Sequence, residues 1–212
     1  MIMQKPEKEL LEIRKEKIKE WFRDPYNLIL LGILIFSAAI LLYYFNLTSQ
    51  QPLWWDEAEY GATAKHWAFN TAYSPYPERP VLFPFLISLV FLLGLGEVGV
   101  KFFVVLVPAW LVVFFTYLLV KEMYDKKTAL IATFITAVSW IHLFYAMRLM
   151  TDSLGLLFGI LAFLCFWRGY VNEKGNKYIW FSGFFIALSF LTRLTGVLYG
   201  AIIFIFVFSI AK

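Results

Sequence analysis

The feature that most constrains this chain is a series of long apolar runs, at residues 27–47, 98–120, 128–146 and 152–169, separated by short polar segments. About 20 consecutive apolar residues make a helix long enough to cross the hydrocarbon core of a bilayer. In lipid the backbone N–H and C=O groups find no water, so each run must satisfy them internally as a helix. Composition agrees: the 212 residues are 61% hydrophobic and 16% charged, with mean hydropathy +0.70. A soluble domain carries about a quarter charged residues. The expectation is an all-α integral membrane protein.

The first 26 residues are charged and lack the apolar core of a cleavable signal peptide. Residues 6–22 read instead as an amphipathic helix on the membrane surface, with Leu10, Leu11, Ile18, Trp21 and Phe22 on one side and Asp24-Pro25 ending it. Residues 1–26 are thus assigned to a cytoplasmic amphipathic helix and 27–212 to a transmembrane module. Residues 48–97 form its long first outer loop, with a short helix over 57–70. There Ala58, Gly61, Ala64 and Ala68 make a small-residue stripe suited to close helix packing. The apolar stretch 81–95 is short for a span and suits an interfacial or re-entrant helix. After the loop at 169–177 two shorter runs, 178–191 and 195–211, either cross twice or form a shallow hairpin.

Charge decides the topology. With 81–95 at the interface and the N-terminus inside, 14 basic residues fall on the cytoplasmic side and 5 (Lys65, Arg79, Lys101, Arg148, Arg193) outside. With 81–95 crossing fully, the division becomes 10 against 9. Lys and Arg concentrate in cytoplasmic loops, which favours the first arrangement and about six transmembrane helices. The basic pI of about 9.0 then belongs to these loops and not to a nucleic-acid surface. Cys165, the one cysteine, lies in an apolar run and excludes an intrachain disulfide or a Cys-based metal site.

This topology gathers Asp56, Glu57, Glu59, Glu78 and Asp152 on the outer side. Ionisable groups at the membrane face are costly to desolvate and point to function. Asp56-x-x-Glu59 has the form of a capping box, and a carboxylate held at a helix N-terminus stays ionised, so capping and general-base roles remain equally open. Trp54 and Trp55 suit an aromatic belt. Arg79 sits at headgroup depth, either paired with Glu78 or free to grip a phosphate with its planar fork. Arg148 and Asp152 have the spacing of an i,i+4 pair. Arg193 lies in the break between the last two runs, without a carboxylate nearby in sequence. His66 and His142 lack neighbours at metal-ligand spacing and read as structural or solvated.

These residues carry a family resemblance. Trp55-Asp56-Glu57-Ala58-Glu59-Tyr60-Gly61 resembles the Asp-Glu-Ala motif in the first outer loop of GT-C glycosyltransferases, chiefly protein O-mannosyltransferases and lipid A aminoarabinose transferases. Glu78-Arg79-Pro80 is similar to their Glu-Lys-Pro or Arg-Pro-Pro segment, though Val81 replaces a second proline. Arg148 to Asp152 resembles their second outer-loop Arg…Asp, and Leu191-Thr192-Arg193-Leu194-Thr195-Gly196 their Leu-Thr-Lys-Pro-Thr-Gly break. The resemblance implies inverting transfer of a sugar from a polyprenyl or dolichyl phosphate donor to an acceptor, at the outer face of a cell membrane. It implies Asp56 as base with Glu57 and Asp152 in support, and Arg79, Arg193 and Arg148 around the donor phosphate. Glu78 would orient Arg79 or bind a divalent metal, the one cofactor the family admits. Relatives of this kind continue through further spans, so the resemblance also implies a further C-terminal region or a partner subunit. The alternative function is a non-catalytic membrane module that binds lipid-linked glycan.

Overall fold

The computed structural model describes residues 7–73 and 78–210, leaving aside the side chains of residues 7–11, 14 and 210. Leu10 and Leu11 of the expected surface helix therefore lie outside the described side chains. All regular structure among the described residues is helical. Helix α1 (Glu7–Arg23) ends where Pro25 opens α2 (Pro25–Thr48), and Asp24 caps α2 by accepting from the Tyr26 N–H at 3.0 Å. Proline at the start of a helix needs no N–H partner, so one dipeptide ends one helix and begins the next.

Among the described residues three helices are long and apolar enough to cross a membrane: α2, the continuous helix Gly96–Met123, and Asp152–Val171. The second comprises α5 (Gly96–Val100), a π-helical stretch (Lys101–Leu106) and α6 (Val107–Met123). The third comprises α9 (Asp152–Phe166) and a π-helical end (Trp167–Val171). A fourth span results if α7 (Lys126–Val138) and α8 (Trp140–Ala146), bent by 55° at Ser139, count as one. The remaining apolar helices are shorter. Helix α4 (Leu82–Leu92) has 11 residues, α10 (Asn176–Thr192) 17 and α11 (Val197–Ile210) 14. Apolar side chains such as Ile35, Ile135, Phe184 and Ile205 are exposed along these helices. That surface suits hydrocarbon as solvent better than water.

The two ends of the bundle differ in chemistry. At one end Lys126 pairs with Asp24, and Glu122 gathers Arg168 at 3.0 Å and Lys174 at 2.9 Å. At the other end Lys101 is buried and donates to the Ser49 and Gln51 carbonyls at 3.1 and 2.8 Å, which ties the end of α2 to the start of the second long helix. On that end α3 (Asp56–Phe69) and α4 pack together over Val100, Val104, Val105, Leu149 and Leu154. The buried residues of α3 are Glu57, Tyr60, Gly61, Thr63 and Ala64; Ala58, expected in the small-residue stripe, is exposed. The face has turned so that Tyr60 packs edge-on against Phe83 at 5.1 Å. Central α9 is sewn to α10 by Ser182 and Ser189, whose hydroxyls donate to the Ala162 and Gly155 carbonyls at 2.9 and 3.0 Å. Small polar residues serve this purpose between helices in lipid.

Candidate functional site

The site is built where the N-terminus of α3, the segment before α4, the start of α9 and the α10–α11 break meet. Trp55 precedes α3 with φ of +43°, a conformation a bulky residue adopts only when its surroundings impose it. The imposing contacts come from Glu57. Its side chain is buried and accepts from the Trp54 N–H at 2.9 Å and the Leu149 N–H at 2.7 Å, with Arg148 Nε at 3.0 Å. Glu57 thus joins the first outer loop to the segment before α9, two stretches about ninety residues apart in sequence. This strained turn presents Asp56 at the first position of α3.

No capping box forms. Trp55 occupies the N-cap without a side-chain hydrogen bond, and Asp56 and Glu59 both turn to Arg79. Arg79 Nη2 donates to Asp56 Oδ1 at 2.7 Å and to Glu59 Oε2 at 2.8 Å, Nε donates to Glu59 Oε1 at 3.2 Å, and Nη1 lies 3.4 Å from the Tyr60 hydroxyl. The guanidinium also lies 5.3 Å from the centre of the Tyr60 ring. Residues three and four apart share a helix face, so one guanidinium can reach all three. This arrangement replaces the expected orientation of Arg79 by Glu78. The Arg79 hydrogen bond holds the Asp56 carboxyl below its ordinary range, against the upward push of burial.

One cavity of about 270 Å³ is lined by Asp56, Glu78, Arg79, Asp152 and Arg193, together with Tyr60 and Thr195. Asp152 and Arg193 pair across it, from the first turn of α9 and from the break after α10. Arg193 is therefore not without a carboxylate; its partner is simply 41 residues away. Glu57 and Arg148 are not among the cavity's lining. Arg148 pairs with Glu57 instead of Asp152, stacks 5.2 Å from the Trp54 ring and faces a separate cavity beside α2 and α8. The i,i+4 pairing fails because α9 starts only at Asp152, so Arg148 is not on its helix. Trp54 and Trp55 are exposed. Among the described residues no group of three His, Cys, Asp or Glu side chains is placed to hold a metal ion.

The break that carries Arg193 depends on Gly196. A Cβ there would stand 2.4 Å from the Ser189 carbonyl carbon and 2.6 Å from the Phe190 nitrogen, both backbone atoms with no rotamer to relax. Gly196→Ala is expected to destabilise the protein by about 1–3 kcal/mol, the usual cost of overpacking. Gly183→Ala, whose added Cβ meets nothing within 4 Å, serves as the control with little change. Thermal unfolding of the two variants in one lipid mixture checks this. Equal melting temperatures would show that the break yields freely.

Sequence reasoning missed Glu59 as the principal clamp on Arg79. The i,i+3 spacing of Asp56 and Glu59 was the available signal, but it was read as capping. His142, read as structural or solvated, is buried.

No curated protein and no solved structure matches the chain. Residues 78–212 match the model of a family described as dolichyl-phosphate-mannose-protein mannosyltransferase. The match takes in Glu78, Arg79, Arg148, Asp152 and Arg193 and begins after the Asp56–Glu59 motif. It covers more than half of the chain, and with the apolar helices it indicates a membrane glycosyltransferase of the GT-C type: the chain belongs to the dolichyl-phosphate-mannose-protein mannosyltransferase family.

Proposed function

We propose that the chain transfers a sugar from a polyprenyl-phosphate-linked donor to an acceptor hydroxyl on the non-cytoplasmic side of the membrane, with inversion and with Asp56 as general base. The observation that carries this reading is the single cavity lined by three carboxylates and two guanidinium groups drawn from four separate segments. A structural cap or a solvated charge would have no reason to converge in this way.

The reaction needs a base for the acceptor and positive charge for the departing phosphate. The acceptor oxygen attacks the anomeric carbon opposite the phosphate, and its proton passes to Asp56. The bond from the anomeric carbon to the phosphate oxygen breaks, and the polyprenyl phosphate leaves with the electron pair beside Arg79 and Arg193. Preorganised charge at such a leaving group is commonly the largest contribution to catalysis. Asp56 begins as a weak base because Arg79 holds it. A donor phosphate competes for that guanidinium while Glu59 keeps it in place, so donor binding frees the carboxylate. Asp152 does the same for Arg193, and Glu57 supports Asp56 through the turn. Because Arg79 holds Asp56 below the ordinary Asp range before the donor binds, kcat/KM should be kept into more acid solution than an unpaired Asp would allow. In Arg79→Lys, which loses the two-pronged contact, the acid limb should move upward.

The reading also fixes orientation: about six crossings, α4 along the outer interface, α10 and α11 as the last two passes, and the N-terminus cytoplasmic. Single cysteines at 125 and 150, introduced in a Cys165→Ser background, test it in intact cells. Only position 150, beside the cavity, should react with an impermeant thiol reagent. Labelling of 125 alone would place the cavity in the cytoplasm, where nucleotide-activated sugars are available, and sink the lipid-donor reading.

A further inference from the structure

A cleft of about 300 Å³ lies between α6, α9 and α11 and shares no lining residue with the candidate site. Leu119 and Met123 of α6, Phe163 and Trp167 of the third long helix, and Ile202 and Phe206 of α11 wall it. Every side chain that lines it is apolar or aromatic. Protein interiors are close-packed, and a gap forfeits the dispersion contacts of its walls. Among helices that stand in a bilayer, hydrocarbon is the material at hand to fill it. One turn of a helix, about 5.4 Å long and 10–12 Å across, needs more room than this, whereas a single acyl chain is slender enough.

One end of the cleft is polar. Trp167 Nε1 donates to the Glu122 carbonyl at 3.0 Å, so the indole sets its ring in the apolar wall and its N–H at the rim, as interfacial tryptophans do. At the same rim the Glu122 carboxylate accepts from Arg168 Nε at 3.1 Å, Lys174 Nζ at 2.9 Å and Asn172 Nδ2 at 2.8 Å. The π-helical turn Trp167–Val171, a rare winding found mostly at functional positions, carries both Trp167 and Arg168. Arg168 and Lys174 outnumber the one carboxylate between them. With Lys121, Glu173 and Lys177 the neighbourhood holds four cations against two acids. A basic rim at headgroup depth above an apolar cleft complements an anionic headgroup with a hydrocarbon chain beneath it.

We propose that this cleft holds one anionic glycerophospholipid of the surrounding bilayer, with an acyl chain between α6, α9 and α11 and its phosphate beside Arg168 and Lys174. The site lies at the other end of the bundle from Arg79 and needs only that the helices stand in lipid, so it does not rest on the transfer reading. Native mass spectrometry of the whole purified chain, released from nanodiscs of equal parts phosphatidylglycerol and phosphatidylcholine, reads which lipid stays bound. Phosphatidylglycerol should be retained roughly tenfold over phosphatidylcholine, and Lys174→Gln should lower that preference about fivefold, the weight of one basic residue near an anionic lipid surface. Lys174→Arg should keep it. Lys127→Gln, an exposed position on α7 outside the cleft, controls for charge at large and should change little. Ile203→Phe, which fills the cleft, should reduce the retained phosphatidylglycerol. Inorganic phosphate should not displace the lipid, because it lacks the chain. Lys174 is exposed, so its variants keep the test decisive if Ile203→Phe fails to fold. Equal retention of the two lipids, displacement by inorganic phosphate, an equal effect of Lys127→Gln and Lys174→Gln, or unchanged retention in a folded Ile203→Phe protein would overturn the proposal. So would a second copy of the chain in the cleft, read as a dimer that Ile203→Phe dissolves.

Discussion

Asp56→Asn is expected to abolish sugar transfer while leaving polyprenyl phosphate binding unchanged or tighter. The substitution keeps the shape of the side chain and an oxygen that can accept from Arg79 Nη2, now 2.7 Å away, but removes the charge and the basicity. Glu59 still holds the guanidinium through two hydrogen bonds, so Arg79 stays in the cavity. With one neighbouring carboxylate neutralised, the guanidinium has more attraction left for an anion. Transfer should drop by about 10²–10⁴-fold, the usual contribution of a positioned general base. A dolichyl-phosphate sugar donor and a hydroxylated acceptor in one lipid mixture give both readouts. A variant that transfers at the wild-type rate would reduce Asp56 to a clamp for Arg79.

Glu57→Ala should instead cost stability. One carboxylate satisfies the Trp54 and Leu149 N–H groups and faces Arg148, all close to α3. Removing it leaves a largely buried guanidinium unpaired and two backbone donors unsatisfied. Breaking a buried pair in this way typically costs about 3–5 kcal/mol. The first outer loop would also detach from the segment leading to α9, so Asp56 and Asp152 would lose their common frame. Glu57→Gln keeps one acceptor oxygen and should lie between. Thermal unfolding of the two variants decides the point. A stable Glu57→Ala protein without transfer would return Glu57 to the direct catalytic role that the family resemblance implies.

Much of this arrangement was legible in the sequence because lipid restricts the options. The runs around α2, Gly96–Met123 and Asp152–Val171 could only be helices, and the short apolar stretch after Pro80 folds as an 11-residue helix. The candidate residues Asp56, Glu78, Arg79, Asp152 and Arg193 were found from charge placed at the ends of apolar runs, and one cavity contains all five. Pairing was the harder part. Local spacing suggested Asp56 with Glu59, Glu78 with Arg79 and Arg148 with Asp152, yet the ion pairs run across the fold. Glu57 meets Arg148, Asp152 meets Arg193, and Arg79 reaches back 20 residues or more to Glu59 and Asp56. An i,i+4 rule applies only inside one helix, and Arg79 and Arg148 both lie in the segments between helices.

The central claim, that the cavity between α3 and α9 receives a lipid phosphate, is tested most directly by binding of polyprenyl phosphate to the purified protein and to Arg79→Ala. Arg79 lines the cavity and donates to Asp56, which a phosphate can replace, while Glu59 holds the guanidinium in place. Loss of one charged hydrogen bond is worth about 1.5–3 kcal/mol, so the variant should bind roughly ten- to a hundredfold more weakly. Equal affinity in the two proteins would contradict the claim and remove Arg79 from the phosphate site.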